Sequence, residues 1–232
     1  MPDYFTYLAE FTAYKRHVFR EVLAPIGGGD VLDLGCGPVG HYWALGYITR
    51  AASLTYADRS PTYLADLAAQ IDACTPAWLL EQFALPLAFL AAERGVPMAA
   101  LAQDLAAAFA EKPMRSLPCD FTTDDLGGPY DAILSVEGIS CAHDGAHLVA
   151  IAQRMRAALR PDGACLGVWL RFGHRDAYVQ SLIAQGLESA YNPSPEEMRE
   201  AFAAAGFADI TVTTATFPEN GNYAEAVCYH VR

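Results

Sequence analysis

Val31-Leu32-Asp33-Leu34-Gly35-Cys36-Gly37-Pro38-Val39-Gly40 is a short apolar run that ends in a glycine-rich turn, and a helical segment follows it through Ile48. Glycines after a buried strand let the backbone turn tightly and leave no Cβ between a ligand and the main chain. Next along the chain, Ser53 to Ala57 reads as a second strand ending at Asp58, and a helix runs from near Pro61 to about Ala73. Tyr130 to Ser135 and Ala164 to Trp169 are further strand candidates. The helix between them, about Gly145 to Leu159, is closed by the turn signature Arg160-Pro161-Asp162-Gly163. Strands alternating with helices predict an α/β fold, a parallel sheet covered on both faces.

The C-terminal part changes character. Ser194-Pro195-Glu196-Glu197 is a capping box with proline at the first helical position, and Gly206 ends that helix. Phe207 to Thr213 and Tyr223 to Val231 then read as two antiparallel strands joined by a turn around Glu219-Asn220-Gly221-Asn222. Between about Ala73 and Met114 the Ala/Leu/Phe-rich pattern carries no strand signal and is broken by prolines. An insertion of two or three helices over 74–114 fits it better than a long loop.

At 232 residues the chain is expected to form a single domain, 1–232. Its net charge of −12 would repel a polyanion, which argues against nucleic acid as a partner. The most apolar stretch, Phe83 to Ala92, has about ten residues where a spanning helix needs roughly 20, so no membrane role is expected. The beginning of the sequence lacks the pattern of a signal peptide, and the six cysteines show no metal-ligand or redox spacing. Free thiols in a cytoplasmic protein are the simplest reading. Only Lys15 and Lys112 are lysines.

Gly35, Gly37 and Gly40 also satisfy the GxGxxG pattern of dinucleotide binders, so two ligand classes compete. A pyrophosphate wants helix N-terminal amides and no nearby carboxylate. Here Asp33 precedes the first glycine by two residues, and Arg50 is the first basic residue beyond the turn. A ligand carrying an ammonium and a sulfonium, such as S-adenosylmethionine, suits an acidic turn better. Asp58 could bridge a ribose diol in either ligand.

VLDLGCGPVG, followed in order by TYADRSP, LPCDF, YDAILSVEG and LRPDG, resembles the motif series of class I SAM-dependent methyltransferases over roughly residues 30 to 232. The resemblance implies a doubly wound, mostly parallel seven-stranded Rossmann-like sheet with an antiparallel C-terminal hairpin. It implies S-adenosylmethionine as cofactor and S-adenosylhomocysteine as product. It places Gly35, Cys36 and Gly37 at the amino-acid end of the cofactor and Asp58 at the ribose, with Asp33 and Arg59 also among the cofactor-binding residues. Asp120 would take the adenine amino group, Phe121 would pack on the adenine, and Ser135 and Val136 would line the end of the fourth strand.

A narrower pattern is similar to the nicotinamide/phenylethanolamine N-methyltransferase group. It consists of glycine-x-glycine-proline, an inserted helical region with Trp78, and an N-terminal YLAEF. It implies an N-terminal lid helix over 1–25, with Tyr7 touching cofactor or substrate. It also puts His41 and Tyr42 beside the position of a cofactor-contacting tyrosine. Val168-Trp169 departs from the polar substrate-facing residue common in that group.

Glu137 follows the fourth strand, where such a sheet presents its crevice, and could orient an amine or accept a proton. His143 and His174 are the other candidate acid–base groups. His143-Asp144-Gly145-Ala146-His147 needs no metal, since Asp144 as N-cap of a helix explains it, and no metal is expected. Tyr4, Tyr7, Phe11 and Tyr14 form an aromatic stripe at helical spacing, which core packing also explains. The expected activity is methyl transfer to a small-molecule acceptor, an amine or heteroaromatic nitrogen, by a monomer or homodimer. An O- or C-methyltransferase of small aromatics, a NAD(P)-dependent oxidoreductase and a non-catalytic SAM-fold module are the alternatives.

Overall fold

The computed structural model describes residues 10–172, 177–185, 189–217 and 225–232. Tyr4, Tyr7, His174 and the expected turn at 219–222 lie outside the described residues.

Seven strands form one sheet in the order β3-β2-β1-β4-β5-β7-β6. They are β1 (Gly29–Leu34), β2 (Ala51–Asp58), β3 (Met114–Pro118), β4 (Tyr130–Val136), β5 (Leu159–Arg171), β6 (Ile210–Thr216) and β7 (Glu225–Val231). The first five run parallel, while β7 pairs antiparallel with both β5 and β6. β1 is apolar because it is buried on both faces: Val31 joins one core cluster, Leu32 and Leu34 the other. Chain order reverses direction between β1 and β4, and a sheet of this kind opens its ligand crevice at that point, beyond the strands' carboxyl ends.

Helices cover both faces. α1 (Ala13–His17) is capped by the Thr12 side chain and runs into a π-helical turn, Val18–Leu23. α2 (Gly40–Ala44) follows the glycine turn, and α3 (Pro61–Asp72) is capped by Ser60 with proline in its first turn. The insertion is three helices, α4 (Pro76–Gln82), α5 (Ala84–Arg94) and α6 (Met98–Glu111). Leu79, Leu87, Leu101 and Leu105 anchor it in the core cluster that also holds the α1 side chains. α7 (Gly145–Ala157), α8 (Ala177–Ala184) and α9 (Pro195–Ala204) complete the helices, and the expected capping box at Ser194 and Glu197 is formed. All six cysteines are free thiols.

Four expectations are corrected. Residues 10–12 are not helical, so no single helix spans 1–25. Tyr14, Val18, Phe19, Val22 and Leu23 are at most 2% exposed, which makes the described part of this segment a core element. The helix after the glycine turn stops at Ala44 rather than Ile48. Arg160-Pro161-Asp162-Gly163 is not a turn between elements: β5 begins at Leu159 and these residues bulge out of it. From Tyr130↔Leu159 to Ala132↔Ala164, β4 advances two residues while β5 advances five. Finally, β6 starts at Ile210, because Phe207 turns inward and packs edge-on against Phe202, with ring centroids 5.8 Å apart. No single helix among the described residues is long and apolar enough to cross a membrane; α5 and α6 pass that test only together and are bent by 104°.

Candidate functional site

The turns after β1 and β4 meet at the crevice. A Cβ on Gly35 would stand 2.8 Å from the Gly138 Cα and 3.3 Å from the Phe121 ring, and Gly35 has φ +71°. A Cβ on Gly138 would strike the Leu34 carbonyl at 2.4 Å. The two loops are therefore packed backbone to backbone, and only glycine fits at either position. Gly37 differs: its φ is +57°, yet a Cβ there meets nothing within 4 Å, so it faces open space.

The backbone donors of the turn are already used. Gly35 N–H and Cys36 N–H both donate to the Ala57 carbonyl, at 2.8 and 3.2 Å, and Gly37 N–H donates to Asp58 Oδ2 at 3.0 Å. These three amides hold β1 to β2 and are not open to a pyrophosphate. The other Asp58 oxygen accepts from Ser60 N–H at 2.8 Å, so the carboxylate is fixed in orientation at the end of β2.

Asp33 sits beneath the turn, 2% exposed, and its Oδ2 has no hydrogen-bond partner. Burial first, and the neighbouring Asp58 carboxylate second, push its pKa up to about 8. The Tyr47 hydroxyl beside it pulls the other way without reaching hydrogen-bond geometry. Cys36 is buried over the same acidic pair, which drives its thiol pKa upward.

Beyond the crevice, Asp120 Oδ1 accepts from the Thr122 N–H and hydroxyl, at 3.0 and 2.6 Å, and these bonds hold its pKa below the usual carboxylate value. Arg59 is exposed and close enough to add to that effect. Phe121 is buried against Gly35. Asp58, Asp120 and Phe121 thus follow one another along the carboxyl edge of β2 and β3, where a nucleoside would lie. Val136 is half-buried and packs against the core cluster that holds α1.

Ser135 and Tyr42, both expected at the cofactor, are fully buried. The Ser135 hydroxyl is fully buried; it donates to the Leu34 carbonyl at 3.0 Å and accepts from Ile139 N–H at 3.2 Å. It braces β1 against the β4 loop and does not face the crevice. Tyr42 is also fully buried, its ring packed edge-on against Phe19, Trp43 and Phe83, and its hydroxyl has no hydrogen-bond partner. It belongs to the aromatic core under α2. His41, equally buried between Trp78 and Phe83, has both ring nitrogens unpartnered, and burial lowers its pKa to about 4.

Glu137 stands where expected, directly after β4, and is the one non-glycine residue with positive φ (64°) among the described residues. Its Oε1 accepts from the Tyr14 hydroxyl of α1 at 2.7 Å. Lys15, 2% exposed, lies within electrostatic reach of the same carboxylate. His143 is separated from this group: it is exposed, its Nδ1 lies 2.5 Å from that of His147, and His147 is near Asp120, which places the pair at the adenine side. Asp144 caps α7 through His147 N–H at 2.7 Å, as expected. Tyr14 was noted from sequence as part of the aromatic stripe, while Lys15 and Gly138 were not singled out for this site, although a lysine in an aromatic stripe and a glycine right after a strand-end carboxylate were visible signals. A cavity of about 380 Å³ lies at the opposite, amino-terminal edge of the sheet, near Asp30, Thr55, Arg115 and Tyr130, far from the glycine turn.

No protein-family model matches the sequence, and no curated protein matches it. Solved structures do. The N-methyltransferase NodS from Bradyrhizobium japonicum WM9 superposes with a TM-score of 0.57 at 10% identity, over 100% of this chain and 97% of that one. DhpI in complex with SAH gives 0.58 at 17% identity, over 98% and 89%. Human N-acetylserotonin methyltransferase in complex with SAM gives 0.52 at 13% identity, over 88% of this chain and 47% of that one. The chain has the class I methyltransferase fold.

Proposed function

We propose that this protein is a SAM-dependent methyltransferase that acts on a small-molecule acceptor, an amine or heteroaromatic nitrogen. The observation that carries the reading is the chemistry of the glycine turn. It is acidic, its amides are spent on β2, and it carries a buried carboxylate oxygen with no partner. That set suits a cationic amino-acid moiety and refuses a pyrophosphate dianion, so it favours S-adenosylmethionine over a nicotinamide dinucleotide.

The residues divide by role. Asp33 would neutralise the ligand's ammonium, and the open side of Gly37 leaves room for its approach. Asp58 would take the ribose hydroxyls with its remaining lone pairs, Asp120 the adenine amino group, and Phe121 the adenine face. S-adenosylmethionine supplies an electrophilic methyl on a cationic sulfur. The chain's own contribution is alignment and exclusion of water: α1 reaches the crevice through the Tyr14–Glu137 hydrogen bond, and Glu137 accepts a hydrogen bond from the acceptor. Support for transfer to nitrogen comes from the NodS likeness and from a carboxylate, an acceptor-only group, at the strand end.

Isothermal calorimetry tests the reading. S-adenosylhomocysteine is expected to bind and NAD is not. Binding of NAD without any S-adenosylhomocysteine affinity refutes it. Cofactor binding with no methylation across an amine, phenol and indole panel would leave a binding module instead.

A further inference from the structure

Glu137 adopts a left-handed backbone that costs a non-glycine residue on the order of 1–2 kcal/mol. Glycine would relieve that cost, and the neighbouring position is already glycine. The conformation aims the Glu137 side chain away from the sheet toward α1, where the Tyr14 hydroxyl meets its Oε1 across a sequence separation of 123 residues. Tyr14 is 1% exposed and packed edge-on against Phe217, so its hydroxyl is held from behind. Lys15, the next residue, is a buried lysine whose ammonium donates to the Glu10 carbonyl at 2.5 Å and lies 5.6 Å from the Tyr42 ring centroid.

Burial lowers the Lys15 pKa to about 8, and the charges of Glu10 and Glu137 oppose that fall. At neutral pH the ammonium is therefore mostly charged. The Tyr14 phenol donates to the Glu137 carboxylate, and the Lys15 charge lies within electrostatic reach of it. A carboxylate so held accepts hydrogen bonds and donates none. It complements a donor on the acceptor and repels an anionic one.

We propose that Tyr14 is a positioning residue that fixes the direction of the Glu137 carboxylate, and that the acceptor it orients is a nitrogen compound bearing N–H donors. The proposal rests on the methyl-transfer reading above. The hydrogen bond couples the N-terminal segment to the acceptor side of the crevice.

The test uses full-length protein carrying ¹³C at the glutamate carboxyls, saturated with S-adenosylhomocysteine, with Glu137 assigned from Glu137→Gln. Tyr14→Phe keeps the ring and its packing while removing the donor. It is expected to raise the Glu137 carboxyl pKa by about 0.5–1 unit. Benzylamine serves as the acceptor probe. Its affinity for the complex should fall roughly tenfold in Glu137→Gln and about threefold in Tyr14→Phe, with no further loss in the double variant. A Glu137 titration unmoved by Tyr14→Phe, or benzylamine binding indifferent to Glu137, overturns the proposal while calorimetry upholds cofactor binding. Absence of S-adenosylhomocysteine binding by the wild-type protein removes the methyl-transfer reading and this proposal with it.

Discussion

Asp33→Asn removes the buried acid beneath the glycine turn without changing its shape, and the consequence for stability has a definite sign. The folded protein holds the Asp33 proton up to about pH 8, because burial and Asp58 disfavour the carboxylate. An unfolded chain releases the same proton near pH 3.9. Between those values the native state binds one more proton than the unfolded state, so stability falls as pH rises, by about 1.4 kcal/mol per unit. From pH 5 to pH 8 that slope amounts to about 4 kcal/mol, and relaxation around the new charge trims it to about 2–4 kcal/mol. Asparagine carries no such linkage. The unfolding free energy of Asp33→Asn relative to wild type is therefore expected to climb by that amount over this window. Urea titrations at pH 5, 6, 7 and 8 and constant ionic strength, followed by tryptophan fluorescence, measure it. Parallel stability curves for the two proteins would mean that Asp33 is already ionised in the native state, and the reasoning would fail. On the methyl-transfer reading a ligand ammonium supplies the missing counter-charge. Binding of S-adenosylhomocysteine at pH 7 should then release up to about 0.9 proton per site, visible as a buffer-dependent calorimetric enthalpy.

Gly37→Ala separates folding from ligand binding. Its Cβ meets no atom of the protein, so only the left-handed φ is penalised, at about 1 kcal/mol of stability, while the methyl stands in the approach to the turn. S-adenosylhomocysteine affinity should drop at least tenfold while the urea midpoint moves little; unchanged affinity would place the ligand elsewhere. His41→Phe probes the opposite pH limb. The buried imidazole resists protonation until about pH 4, so wild type loses up to about 3 kcal/mol as pH falls from 6.5, and the phenylalanine variant does not. Urea midpoints at pH 4.5 and 7 for both proteins measure the difference, and an NMR titration placing His41 near 6.5 would refute it.

The parts of this fold legible from sequence are those where one local rule acts alone. β1 reads as a strand because it is buried on both faces, and α9 because proline and a capping box mark its first turn. β3 was hidden because it is the edge strand: Arg115, Ser116 and Pro118 are exposed, so no apolar run marks it, and only its pairing with β2 defines it. The RPDG segment carries true turn chemistry, yet pairing of Leu159 with Tyr130 upstream draws it into β5 as a bulge. Tertiary pairing overrode a correct local signal there. The site divides in the same way. Asp33, Gly35, Gly37, Asp58, Asp120 and Glu137 are strand-end residues, placed by topology once β1 is found.

Position along an element does not say which way a side chain faces or whether its hydroxyl is already used, and Ser135 and Tyr42 are both fully buried. Tyr14 and Lys15 lie 123 and 122 residues before Glu137, and nothing local links them to it. What joins them is the packing of α1 and its π-helical continuation against the sheet, which carries a phenol and an ammonium to the end of β4. Glu137 carries a left-handed backbone, and Tyr14 brings a donor to its carboxylate from 123 residues away. Their convergence beside the crevice is the physical reason to place acceptor recognition at Glu137.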